Sequence, residues 1–139
     1  MGKRLAVYFI LLFAAVGCQE DFTDYGYVNF YIEPDSLMYS NLNIGNRGWE
    51  YMQGGYRGVV IFRKSAMTFA AYERSCTGKD CHGLLEVDTT NNVLIHCTKC
   101  GSDFLYVDGS PLEGSPAKRM LYSYCTFFDG EKLWVNNCE

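Results

Sequence analysis

The sequence predicts one all-β domain, a small antiparallel sandwich or barrel, behind an exported N-terminus. Three observations lead there. The 139 residues are enough for one core and too few for two. Eleven Tyr and nine Phe join β-branched residues in short runs, a composition that favours strands. Gly-rich turns separate those runs, and no long stretch carries helical periodicity.

The chain begins as a targeting segment. Lys3 and Arg4 precede an uncharged apolar run, Leu5 to Val16, which is too short to span a bilayer as a stable helix. The ending Ala15-Val16-Gly17-Cys18 resembles a bacterial lipobox, in which the cysteine is lipidated and becomes the new N-terminus. An ordinary signal peptide cut nearby and an uncleaved anchor are the alternatives. The expected division is a signal peptide over 1–17, a lipidated tether over 18–27 and the folded domain over 28–139. Several acyl chains on Cys18 would anchor the protein stably, since one chain binds a membrane only marginally. The implied place is the bacterial cell envelope, at the outer membrane. Gln19-Glu20-Asp21 reads equally as a surface-export signal or as the start of a solvated tether.

Cleavage removes Lys3 and Arg4, leaving ten basic against sixteen acidic residues and a formal charge of −6. Without a basic cluster, such a chain is excluded as a nucleic-acid binder. The partner to expect is the membrane, reached through the lipid.

From Val28 the pattern alternates: Val28, Phe30 and Ile32 on one side, Asn29, Tyr31 and Glu33 on the other, up to Pro34-Asp35. Residues 36–48 predict a loop with at most a helical turn. Trp49 to Met52 predicts a short strand before the Gly54-Gly55 turn. Val59 to Arg63 and Met67 to Tyr72 predict a hairpin, as do Leu84 to Val87 and Val93 to His96 across Asp88 to Asn92. Phe104 to Val107 predicts a strand ending at Asp108-Gly109. Leu121 to Phe128 and Lys132 to Asn136 predict a last hairpin about Asp129-Gly130.

Apart from Cys18, six cysteines remain: Cys76, Cys81, Cys97, Cys100, Cys125 and Cys138. The first four form C-x4-C and C-x2-C pairs with 15 residues between them, each pair after a predicted strand. Loops at two strand ends can converge, and convergent thiolates suit zinc or an iron–sulfur cluster. Outside the cytoplasm the same cysteines suit disulfides, and spacing alone leaves both open. In the last hairpin, a turn at residues 129 and 130 would put Cys125 opposite Trp134 and Cys138 opposite Leu121. Bridging that pair would need a curled C-terminus.

Cys97-Thr98-Lys99-Cys100-Gly101-Ser102-Asp103-Phe104 resembles the second box of Rieske iron–sulfur domains, C-P-x-H-G-S-x-F. Cys76-Thr77-Gly78-Lys79-Asp80-Cys81 is similar to the first, C-T-H-L-G-C. Eighteen residues separate Gly78 from Cys97, as the family's gap between boxes requires. Gly114-Ser115-Pro116-Ala117 resembles its G-P-A loop, and Leu121 to Tyr124 the strand that follows. The resemblance covers residues 55 to 136.

It implies a Rieske-like fold and a [2Fe–2S] cluster, with one iron on the cysteine and one on the histidine of each box. Cys76 and Cys97 match the thiolate positions. Gly78 occupies the first histidine position and cannot ligate; Cys100 occupies the second. Cys81 matches a cysteine that forms a disulfide beside the cluster, whose usual partner position is Lys99. Two outcomes follow from these matches. Cys81 could complete a four-cysteine site for zinc or a low-potential two-iron cluster. Alternatively, disulfides Cys76–Cys97 and Cys81–Cys100 replace the metal, which an oxidising compartment and the two lost histidines favour. His82 reads as a polar loop residue before it reads as a spare ligand, and His96 as a partly buried strand residue.

No nucleophile elbow or Walker-type glycine loop is present. Arg74, Lys79 and Lys99 lie near the cysteines in sequence, but Cys97-Thr98-Lys99-Cys100 opens no helix, as a thiol–disulfide exchange motif requires. The favoured expectation is an envelope-anchored, non-catalytic, disulfide-stabilised Rieske-like domain with no cofactor. The alternative is an electron-transfer or metal-binding protein using the four cysteines. Labelled fatty acid should attach to the expressed protein, and Cys18→Ser should abolish the label; equal labelling of the variant removes the lipoprotein reading.

Overall fold

The computed structural model describes residues 24–138. The expected signal peptide, Cys18 and the start of the expected tether lie outside them. Among these residues there are nine strands: β1 Asn29–Ile32, β2 Trp49–Met52, β3 Val59–Arg63, β4 Phe69–Glu73, β5 Leu85–Val87, β6 Leu94–Cys97, β7 Asp103–Leu105, β8 Ser123–Phe128 and β9 Leu133–Asn136. They form an antiparallel six-stranded sheet, β1-β9-β8-β4-β3-β2, and a three-stranded sheet, β5-β6-β7. The all-β expectation holds. Among the described residues no helix is long and apolar enough to cross a membrane.

Two apolar cores share β3 and β4. Val59, Ile61 and Ala71 enter a core with Val28, Ile32, Leu42, Leu133 and Val135. Val60, Phe62 and Tyr72 enter another with Leu85, Val87, Ile95 and Phe104, and this one includes Cys76, Cys81 and Cys97. The unbroken apolar run Val59 to Phe62 follows from this, since a strand covered on both faces has no polar alternation.

Residues 36–48 carry more helix than expected. Two 3-10 segments, Leu37–Asn43 and Gly45–Arg47, fill them and sink Leu42 completely. The β1 alternation is as read, with Val28 and Ile32 buried and Asn29, Tyr31 and Glu33 exposed.

The last hairpin has a different register. Cys125 stands opposite Asn136, and Phe127, not Cys125, opposite Trp134. The cause is Asp129. Its Oδ1 accepts from the backbone N–H groups of Glu131 and Lys132, and its own N–H donates to the Lys132 carbonyl at 3.1 Å. This asparagine-like side-chain turn adds two residues to the loop. Cys138 then lies just past the strand pair and curls back to form the disulfide Cys125–Cys138, with a Cα separation of 5.1 Å.

A buried carboxylate ties the end of β4 to its surroundings. Glu73 accepts from Tyr56 N (2.9 Å), Arg57 N (2.7 Å) and the Tyr124 hydroxyl (2.7 Å). Gly55, at φ 63°, must be glycine because any Cβ there would strike the Glu73 carboxylate. Burial, then the Glu73 carboxylate, pushes the Tyr124 hydroxyl pKa up, so it stays a proton donor. Tyr124→Phe should leave one carboxylate oxygen short of a donor and cost about 1–3 kcal/mol in denaturant melts, with the β-type circular dichroism retained. An unchanged midpoint would deny Glu73 this anchoring role.

Candidate metal centre

Two loops meet at one end of the three-stranded sheet. The first, from Cys76 to Cys81, leaves β4 through an isolated bridge between Ser75 and Leu84. Cys76 N donates to Gly83 O at 2.9 Å and Cys81 N to Gly78 O at 3.0 Å, so the loop folds back on itself. The second, from Cys97 to Cys100, is a tight turn after β6. Gly101, at φ 75°, reverses the chain and donates to Cys97 O at 3.1 Å.

The four thiol sulfurs of Cys76, Cys81, Cys97 and Cys100 lie within 4.8 Å of one another, and all four thiols are free. Cys76 and Cys100 are in contact at 3.7 Å, and Cys81 and Cys97 at 3.6 Å. Each contact joins one loop to the other. The pairs expected from the resemblance, Cys76 with Cys97 and Cys81 with Cys100, also lie within 4.8 Å and are not bridged. Backbone N–H groups point at the sulfurs: Gly78 N to Cys76 Sγ (3.4 Å) and Cys100 N to Cys97 Sγ (3.5 Å). Such donors favour thiolate over thiol.

Cys76, Cys81 and Cys97 are buried, and Cys100 is half-buried. Burial pushes the Cys76 and Cys81 thiols up. Burial acts in the same direction on Cys100, but hydrogen bonds from the Ser102 side chain and backbone and from neighbouring thiols outweigh it and bring its pKa down to about 6. Ser102 Oγ lies 3.1 Å from Cys100 Sγ and accepts from Ala117 N at 2.8 Å.

The loop resembling G-P-A supports both cysteine loops. Ser115 Oγ accepts from Asp103 N (3.0 Å), while Thr77 Oγ1 donates to Arg119 O (2.9 Å) and the Arg119 guanidinium to Thr77 O (3.3 Å). Sequence reasoning placed Thr77, Ser102 and Ser115 in their motifs without giving them these roles; Arg119 had no signal.

Gly78, which the resemblance would set at the first histidine position, faces the thiols directly. A Cβ there would lie 3.5 Å from both Cys76 Sγ and Cys100 Sγ. Gly83 packs still closer: a Cβ would come within 2.7 Å of Cys97 Sγ. His96 points away and pairs with Asp103 at 2.8 Å, and neither it nor the exposed His82 belongs to the cluster. Arg74 stacks on Tyr51, 3.5 Å from the ring centroid, and donates to Leu85 O, so it is engaged outside the thiol group.

These donors fit one tetrahedral ion. Zinc–sulfur bonds of about 2.3 Å set tetrahedral ligand sulfurs about 3.8 Å apart, close to the 3.7 and 3.6 Å of the two cross-loop contacts here. They fit a Rieske two-iron cluster poorly. That cluster needs two ligand pairs held apart by the iron–sulfide core, and imidazoles on the outer iron. Here all four sulfurs converge and no imidazole is near.

No known family profile matches the sequence. No curated protein is detectably similar. Solved structures are. One is a chain from the complex of reduced oxygenase and oxidised ferredoxin in carbazole 1,9a-dioxygenase. It superposes with a TM-score of 0.53 at 17% identity, over 78% of this chain and 95% of that one. Another is the ferredoxin of carbazole 1,9a-dioxygenase from Nocardioides aromaticivorans IC177, at a TM-score of 0.49 and 16% identity, covering 69% and 90%. The fold is therefore Rieske-like.

In metal-free, reduced protein, iodoacetamide should mark Cys100 first, with a rate that rises through a midpoint near pH 6. Ser102→Ala should move that midpoint upward. A Cys100 midpoint in the ordinary thiol range would show that the Ser102 contact does not support the thiolate.

Proposed function

We propose that this protein is a lipid-anchored envelope protein whose Rieske-like domain is a non-catalytic module built around a single zinc ion held by Cys76, Cys81, Cys97 and Cys100. The observation carrying this reading is the convergence of four free thiols within 4.8 Å. An all-thiolate donor set suits zinc or iron and not calcium or magnesium. Zinc has no redox chemistry of its own and no vacant position in a closed four-cysteine site, so its contribution here is to hold the two loops together. Cys100 would bind most readily, its thiolate already favoured, while Cys76 and Cys81 would give up their protons only as the ion replaced them. Anchoring would come from lipid on Cys18, and the acidic exterior is consistent with a protein that avoids anionic surfaces beyond its anchor.

The Rieske-like fold favours a second reading, an electron carrier holding a two-iron cluster through the same cysteines. Elemental analysis of protein purified without oxygen separates the two. About one zinc per chain, no acid-labile sulfide and a colourless protein are expected of a closed four-thiolate site. Cobalt in place of zinc should give the intense thiolate charge-transfer bands of a tetrahedral site, lost in Cys97→Ser. Two irons with matching sulfide would establish the electron carrier instead. Neither metal, with the four cysteines bridged, would restore the disulfide-stabilised form.

A further inference from the structure

We infer that Cys100 is the oxidation entry point of a four-thiol site that closes into two cross-loop disulfides, Cys76–Cys100 and Cys81–Cys97, releasing its metal as it does so. The inference rests on the zinc reading for its metal step only; the entry point and the pairing rest on geometry. Cys76, Cys81 and Cys97 are buried, and only Cys100 among the four is partly exposed. A soluble oxidant therefore meets Cys100 first. The Cys76 sulfur faces it at 3.7 Å. The remaining two sulfurs are 3.6 Å apart. Each pair can bridge by side-chain rotation, because its members already face each other across the two loops.

The chemistry balances with a peroxide as the two-electron oxidant. The Cys100 thiolate attacks the peroxide O–O bond, becomes a sulfenic acid and releases water after protonation. The Cys76 sulfur then attacks the sulfenyl sulfur, forming the S–S bond and expelling a second water. A second peroxide does the same at Cys81 and Cys97. Two peroxides and four protons are consumed, four electrons leave the thiolates, four waters form and the dication is freed. Ser102, held by the Ala117 N–H, contacts the entry sulfur at 3.1 Å, and Cys97 lies at the end of β6. This pairing differs from the one implied by family position, and the two are distinguishable by mass.

The test uses the chain beginning at Cys18, reduced and loaded with zinc, then treated with two equivalents of hydrogen peroxide. A colorimetric zinc indicator and non-reducing peptide mapping are read together. The expected result is loss of the one bound zinc per chain in step with Cys76–Cys100 and Cys81–Cys97 peptides. Zinc retained at this dose, or peptides joining Cys76 to Cys97 or Cys81 to Cys100, would overturn the inference. In Cys76→Ser the sulfenic acid should persist and be captured by dimedone at Cys100; capture at Cys81 or Cys97 would overturn the entry point. If the starting protein takes up no zinc, the zinc reading fails by itself, and the peptide map of the reduced chain still decides the pairing.

Discussion

Strand β3 has no solvent face. Val59 and Ile61 point into one core, Val60 and Phe62 into the other, and all four are fully buried. At roughly 1.5–3 kcal/mol per buried side chain, this one strand contributes on the order of the whole net stability of a small domain. It obliges the chain to supply two separate apolar layers. The curled sheet closing over β1 and β9 supplies one. The three-stranded sheet supplies the other, and everything at the thiol site hangs from that second layer.

That second layer is thin. Strands β5, β6 and β7 have only three or four residues each, and three short strands need a substantial apolar face to persist. Leu85, Val87, Ile95 and Phe104 provide part of it, and the buried cysteines complete it. The thiol cluster thus sits where a larger domain would place more core. The four free thiols bring the 76–81 and 97–100 loops together at the open end of this sheet, where a metal ion or a pair of disulfides would close it. Glu73 secures the other side of the first loop, so that Ser75 and Cys76 leave β4 in a fixed direction.

The strands were legible because their patterns are local. The two-sided apolar run of β3 and the alternation around Val28 need no tertiary information to read. The register of the last hairpin was not, because it depends on one side chain, Asp129, capping two backbone N–H groups. Asp129-Gly130 signals a turn but not its length, and a two-residue difference there decides which residue faces Cys125. The helical segments at 36–48 were missed for a related reason: they are held by Leu42 sinking into a core that no local window contains. At the thiol site the spacing of four cysteines announced convergence. It could not say how the sulfurs would face one another, since that depends on how the loops cross and on the staples from Ser102, Ser115 and Thr77.

A site lined by four thiols and no imidazole differs in its electrostatics from one shared between sulfur and nitrogen. Neutral imidazoles add no charge to a metal centre, whereas every thiolate adds one unit of negative charge. Four thiolates around one dication carry a net charge of −2, and burying that charge calls for donors rather than apolar walls. The donors are present: the N–H groups of Gly78 and Cys100, and the Ser102 hydroxyl beside the most exposed sulfur. Gly78 serves this arrangement twice, because its missing side chain leaves the sulfurs room and its amide reaches Cys76. A side chain there would begin 3.2 Å from the Cys81 Cβ and 3.5 Å from two of the sulfurs, so a larger residue would compete with the thiols for the same space.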